Sequence, residues 1–299
     1  MLDPGLMVAL AIGDAYGAGR EFVRPTKSRT WNDGKTYLQH PKRPQLPGHY
    51  TDDTQFSMGI AEFMLSGQAR TPLNLADTLI KVFKRDPRPG YADSFYRFLV
   101  EVQDGADFLA KILPHSNKSG GVMRAAPCGF LATPIQVIDF AMWQASLTHA
   151  TYDGMTAAAA GALLVWGCRI GIDRAGLAGL LEEYLPGMSW GTKWQGKVRN
   201  LGLDVVRAAL TVLRDKGDMT GVLKASIAFT GDTDTVASLA LAAAAVHPGI
   251  DANLAQSLYD RLENGPYGRD YLRNLDHDLA IAFPVPPVDS DGLDEEQVG

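Results

Sequence analysis

An all-α fold is predicted for this 299-residue chain by three observations. From residue 54 onward apolar residues recur at spacings of three and four, as in Phe56, Ile60, Phe63 and Met64 or Val205, Ala209, Val212 and Leu213, the period of helices laid on a core. Alternating apolar and polar runs, the mark of half-buried strands, are nearly absent. Start and stop signals such as Arg70-Thr71-Pro72, Thr133-Pro134 and His247-Pro248-Gly249 separate the periodic stretches. The pattern predicts helices over residues 5–17, 54–66, 72–84, 92–103, 134–147, 152–170, 174–184, 195–215, 233–246, 251–263 and 267–282. Two stretches, Ala157 to Ala162 and Ala240 to Ala245, carry Ala on every side of the helix. Neighbouring helices can approach such surfaces closely, so both are expected at the centre of the molecule.

No Gly/Ser linker and no repeat at solenoid spacing divides the chain, so one domain over residues 1–283 is expected. Residues 284–299 carry five acids and no base and read as a disordered acidic tail. With that tail set aside, the net charge of −6 falls to −1. A nearly neutral body argues neither for nor against a nucleic-acid partner. Two cysteines, Cys128 and Cys168, cannot build a disulfide framework or a thiolate metal site, and a reducing compartment fits them best. The apolar stretch from Leu6 to Ile12 is broken at once by Gly13 and Asp14, without a basic region before it, which disfavours a signal peptide. Met155 to Cys168, the longest apolar run, is shorter than the roughly 18 to 20 residues a membrane span needs. The expectation is a cytoplasmic protein with no membrane partner, and a monomer.

Residues 23–49 lack helical period. Six bases, Arg24, Lys27, Arg29, Lys35, Lys42 and Arg43, stand there against Asp33, with Trp31 and Tyr37 interleaved. Such a loop can receive phosphates or a nucleic-acid substrate; it reads equally as a solvated loop. Long unstructured segments inside compact domains are usually functional or disordered.

The chemistry concentrates in two segments of matching composition, Tyr50-Thr51-Asp52-Asp53-Thr54 and Gly231-Asp232-Thr233-Asp234-Thr235. Each precedes a helical pattern, so its Thr and Asp oxygens can turn together at a helix N-terminus, where the dipole favours carboxylates. Taken singly, each segment reads as well as a helix cap. Two of them meeting face to face would gather four negative charges, and that arrangement asks for a cation. All-oxygen ligands without His or Cys favour Mg²⁺, admit Mn²⁺ and disfavour Zn²⁺ or copper. Two such motifs suit a pair of ions.

Five motifs in order resemble those of the ADP-ribosylglycohydrolases: Gly13-Asp14-Ala15-Tyr16-Gly17-Ala18 with Glu21-Phe22, Thr51-Asp52-Asp53-Thr54, Ser119 to Pro127, Ser146-Leu147-Thr148-His149, and Gly231 to Thr235. That family includes the dinitrogenase reductase activating glycohydrolase and eukaryotic ADP-ribosylhydrolases, and the match runs from about residue 6 to about 246. The resemblance implies an orthogonal multi-helix bundle with a binuclear Mg²⁺ cleft. It implies ligands Thr51, Asp52 and Asp53 from the first motif and Asp232, Asp234 and Thr235 from the second, with Asp234 as a candidate bridge. Glu21 matches an acid that lies beside the metals in family members, and with Asp53 it is a candidate catalytic carboxylate. Ser119, Gly120, Gly121, Val122 and Met123 resemble the segment whose amides meet the diphosphate, and His149 a histidine lining the ADP-ribose cleft. Lys118-Ser119-Gly120 departs from the usual Gly-Asn-Gly, replacing an amide that positions ribose or phosphate.

The implied function is metal-dependent hydrolysis of an N- or O-glycosidic bond, releasing ADP-ribose from an ADP-ribosylated protein, nucleic acid or small molecule. The rival is a non-catalytic ADP-ribose-binding or structural protein of the same fold, against which the complete carboxylate set speaks. A terpene synthase would want further acids a helical turn on, and Asp52-Asp53-Thr54-Gln55-Phe56 lacks them. A His-Asp phosphohydrolase would want a His-Asp pair near these motifs. Ser146 and His149 form no recognisable triad.

Overall fold

The computed structural model describes residues 4–23 and 31–285. Arg24, Lys27 and Arg29 of the basic loop, and the acidic tail from 286, lie outside the described residues. Among those described there are thirteen α-helices and no strands, only isolated backbone bridges.

Helix α1 (Leu6–Ala18) is buried along its whole length. A helix hidden on all faces must meet its neighbours at short range, and its glycines allow this. A Cβ on Gly13 would lie 2.5 Å from the Ala237 carbonyl oxygen, and one on Gly17 would lie 2.3 Å from the Asp234 Cα. The partner is α11 (Thr233–Ala245), which meets these glycines with Thr233, Asp234, Ala237 and Ser238. Helix α7 (Tyr152–Arg169) packs against α6 (Pro134–His149), α9 (Gly202–Asp215) and α11. Both Ala-rich stretches are thus buried at the centre, all but the half-buried Ala245 at the end of the second, as their small side chains predict.

Around this centre, α2 (Asp52–Leu65) carries α3 (Pro72–Arg85), followed by α4 (Asp93–Glu101) and α5 (Gly105–Lys111). Helix α3 begins where Thr71-Pro72 predicts: the Thr71 hydroxyl accepts from Asn74 N, and Pro72 sits where no amide donor is needed. Thr133 and Thr151 cap α6 and α7 in the same way. The C-terminal side adds α8 (Leu177–Tyr184), α10 (Met219–Ala228), α12 (Gln256–Arg261) and α13 (Arg269–Ala282). Helix α13 packs on α1 and α2. There Asp276 accepts from the Met7 and Val8 amides at 2.6 and 3.2 Å, doing for α1 what its own N-cap Gly5 cannot.

The structure departs from the expected helices at three places. Helices α5 and α10 lack a sequence forecast; both start on a capping aspartate, Asp104 or Asp218. Seven residues show too little period to read, and Thr220 and Gly221 mask α10 until burial against α11 compensates their low propensity. Over 251–263 only α12 is helical. Residues 195–201 are not helical: Val198 bridges Gly231 in parallel and Leu201 bridges Lys118. Backbone partners outside the segment thereby outcompete its own helix. No described helix is long and apolar enough to cross a membrane.

Candidate metal centre and cleft

The N-termini of α2 and α11 meet beside the C-terminal end of α1. Neither uses its own motif as a cap: Thr51 and Asp232 occupy the N-cap positions, and neither makes a side-chain capping bond. For α2 the work is done by Asp14 of α1. Its carboxylate accepts from Thr51 N (2.8 Å), Thr51 Oγ1 (2.6 Å), Thr54 N (3.0 Å) and Thr54 Oγ1 (2.6 Å). With the Thr54 amide taken up by Asp14, the side chain at the N-cap is not called on to close the helix end. Asp14 belongs to a quoted motif but has no role on sequence reasoning alone. Its signal is an acid within an otherwise apolar helix.

The second motif is held by the extended segment before α9. Val198 N donates to Thr230 O and Asp232 N to Val198 O. A side chain at Gly231 would strike Val198 O at 1.9 Å, and its φ of 91° favours glycine independently. Thr235 Oγ1 donates to Asp232 Oδ1 at 2.9 Å and Thr235 N to Asp234 Oδ1 at 3.0 Å.

Asp52, Asp53, Asp232 and Asp234 are all buried. Burial pushes each up: Asp234 to about 7, with Asp232 the strongest charge adding to it, and Asp53 well above the carboxylate range, with Asp234 foremost among the charges it feels, whereas the neighbours of Asp232 pull against its burial. Asp14 rises to about 6 through burial despite its four donors. Two oxygens in the cluster, Asp53 Oδ1 and Asp232 Oδ2, are buried without a hydrogen-bond partner. Buried carboxylate oxygens without donors are costly, and a cation is the partner that such an all-oxygen set fits.

Glu21 lies just beyond α1. One oxygen each from Glu21, Asp232 and Asp234 lie within 4.8 Å of one another. Burial and then Asp234 push Glu21 up, against the opposing charge of Arg43. Its backbone is clamped: the His40 ring Nε2 meets Glu21 O at 3.0 Å and Phe22 N donates to Gly231 O at 2.9 Å. Phe22 sits at φ 51°, a left-handed conformation unfavourable for an aromatic residue. The described part of the basic loop is fastened here too, since the buried Arg20 guanidinium donates to Tyr16 O, Trp31 O and Thr36 O.

The carboxylates form the floor of a cleft of about 1320 Å³, roomy for a nucleotide-sized ligand by the usual range of roughly 300 to 1,000 Å³. Ser119, Gly120, Met123 and His149 line it. Gly121 and Val122 lie behind the wall: Val122 is fully buried, its methyls directed at Gly161 and Gly202. Ser119 N donates to Asn200 O, while Val122 N and Met123 N donate to Ser119 O. Of this turn's glycine amides, only that of Gly120 stands at the cleft wall. Arg124 braces the turn from beneath, donating to Gly120 O, Gln144 Oε1, Gln144 O and Thr148 Oγ1. Gly120 rests on the His149 ring. Burial and the Arg124 charge hold that imidazole down at about 3, so it is neutral, with Nδ1 2.7 Å from Thr148 Oγ1.

The ADP-ribosylglycohydrolase family model matches residues 4–287. Among solved structures, a chain from an ADP-ribosylglycohydrolase-related protein complex superposes with a TM-score of 0.70, over 92% of this chain and 95% of its own, at 21% identity. At that identity the likeness concerns the fold. No curated protein matches significantly.

Proposed function

Because the chain belongs to the ADP-ribosylglycohydrolase family, we propose that it hydrolyses the N- or O-glycosidic bond joining ADP-ribose to a protein, nucleic acid or small molecule, with two Mg²⁺ ions held by its paired Asp/Thr motifs. The observation that carries the metal reading is the pair of donorless buried oxygens, Asp53 Oδ1 and Asp232 Oδ2, inside a ring of carboxylates. Thr51, Asp52, Asp53, Asp232, Asp234 and Thr235 would hold the ions; Mn²⁺ suits the same oxygens. Metal at this place supplies a template for ribose hydroxyls and a water of lowered pKa.

The protein's own groups do the remainder. Asp14 and the Val198 backbone orient the two ligand motifs. Glu21 reaches the same centre and either completes the ligand set or moves the proton of the attacking water or leaving group. Gly120 offers an amide at the cleft wall, and neutral His149 lends a surface without adding positive charge. The transition state expected for such a bond is oxocarbenium-like. Two buried free thiols fit a reducing, cytoplasmic setting.

The test is a panel of ADP-ribosylated arginine, serine and nucleic-acid substrates, with Mg²⁺ and with EDTA. Release of free ADP-ribose from at least one, abolished by EDTA, is expected. Metal-bound protein that holds ADP-ribose yet turns over nothing would establish the binding-protein reading instead.

A further inference from the structure

The acidic centre already contains one cation, and it comes from the chain itself. Arg43 Nη1 is ion-paired with Glu21 Oε2, and Arg43 lines the cleft with its side chain 30% exposed. Its charge bears not only on Glu21 but on Asp234, Asp232 and Asp52. It is carried by a stretch tied to the end of α1 at two further points, His40 to Glu21 O and Gln45 Nε2 to Ala18 O. Arg43 is thus delivered to the centre by a backbone that is itself anchored there, and its open side faces the cleft.

A guanidinium among carboxylates lowers their mutual repulsion, and it repels any second cation brought to the same oxygens. Resting on the metal reading above, we propose that Arg43 is a tethered counter-cation that neutralises Glu21 and its neighbours in the metal-free protein and withdraws into the cleft as divalent ions bind. Arg43 is then a positioning residue. It keeps Glu21 turned toward Asp232 and Asp234 while the centre is empty of metal, and it sets how strongly metal must bind to take its place.

A merely structural ion pair and a competing cation make opposite predictions for metal affinity. R43Q should melt ~5 °C or more below wild type without metal, because buried carboxylates lose their counter-charge. It should bind Mg²⁺ at least ~10-fold more tightly by calorimetry, because the competitor is gone. R43K, which keeps the charge, should stay within ~3-fold of wild type. The wild-type protein provides a reading that needs no variant: phenylglyoxal, which attacks free guanidinium groups, should modify Arg43 faster with Mg²⁺ than with EDTA, as mapped by mass spectrometry. R43Q that binds Mg²⁺ no tighter than wild type, or Arg43 modified no faster with Mg²⁺, overturns the proposal. Wild-type protein that takes up no divalent ion at all overturns the metal reading itself, a different failure.

Discussion

Asp14 and Glu21 show how residue-scale chemistry divides inside one acidic centre. Asp14 spends both oxygens on four donors from Thr51 and Thr54, so it shapes the first motif without an oxygen to spare. Glu21 shares the space of Asp232 and Asp234 and has Arg43 as its partner. Substitutions should separate ligands from proton carriers. Asp53→Asn and Asp234→Asn should each lower activity about a hundredfold or more and loosen Mg²⁺ in parallel. Because its carboxylate stands within the cluster, Glu21→Gln should also loosen the metal, by about 10-fold, with activity falling by roughly 10² to 10⁴. Calorimetric titration beside a hydrolysis assay checks both. Unchanged affinity in Glu21→Gln would confine Glu21 to acid–base work, and unchanged affinity in both Asp variants would dismiss the metal centre.

At the scale of elements, the centre exists because three backbones meet closely. Helix α1 crosses α11 with Gly17 against the Asp234 Cα, so Gly17→Ala has no room without moving the second motif. The substitution should cost about 3 kcal/mol or more and weaken Mg²⁺ binding, whereas Gly179→Ala on α8, where an added Cβ meets nothing within 4 Å, should be close to neutral. Urea melts and metal titration of both variants check this; equal behaviour would mean that α1 yields easily. The basic loop divides by position. Lys35 lies in its described part, near the contacts of Arg20 and Asp33, and Arg43 reaches the acidic centre. Neutralising Lys27, Arg29 and Lys35 together should weaken a charged macromolecular substrate in a salt-dependent way, while turnover of a small ADP-ribosyl compound changes little. Equal losses on both would make the whole loop part of the active site.

For the whole molecule, the connection between the chain's two ends carries a pH signature. Burial pushes Asp276 up to about 7, outweighing the pull of the Met7 and Val8 amides. A carboxyl whose folded pKa lies above its unfolded value favours folding while protonated. Its contribution is full below about pH 4 and is lost as pH rises through about 7. Asp276→Asn removes that titration, so wild type should lose up to about 4 kcal/mol relative to this variant across the window. Urea melts of both proteins at pH 5 and pH 8 measure the difference, and a constant gap would show that Asp276 keeps an ordinary pKa. Since Asp276 sits on α13 and caps α1, one unfolding transition shared by α1 and α13 is expected.

Helical period, Thr-Pro starts and Ala-rich stretches were legible in the amino-acid order because they are local: each follows from a few neighbours and from one helix's own geometry. The two Asp/Thr motifs were legible for the same reason, through their composition and their place before helices. What the order alone left open concerns contacts between distant positions. Asp14 takes over the capping of α2, residues 195–201 give up a helix to brace Asp232, Val122 turns into the core while Gly120 faces the cleft, and Arg43 comes to rest on Glu21. Each depends on which backbone lies within hydrogen-bond or Coulomb range after packing, a distance that sequence separation does not encode. Local chemistry therefore determined which groups this protein has for its work, and only the tertiary structure decided which of them stand together and which are already occupied.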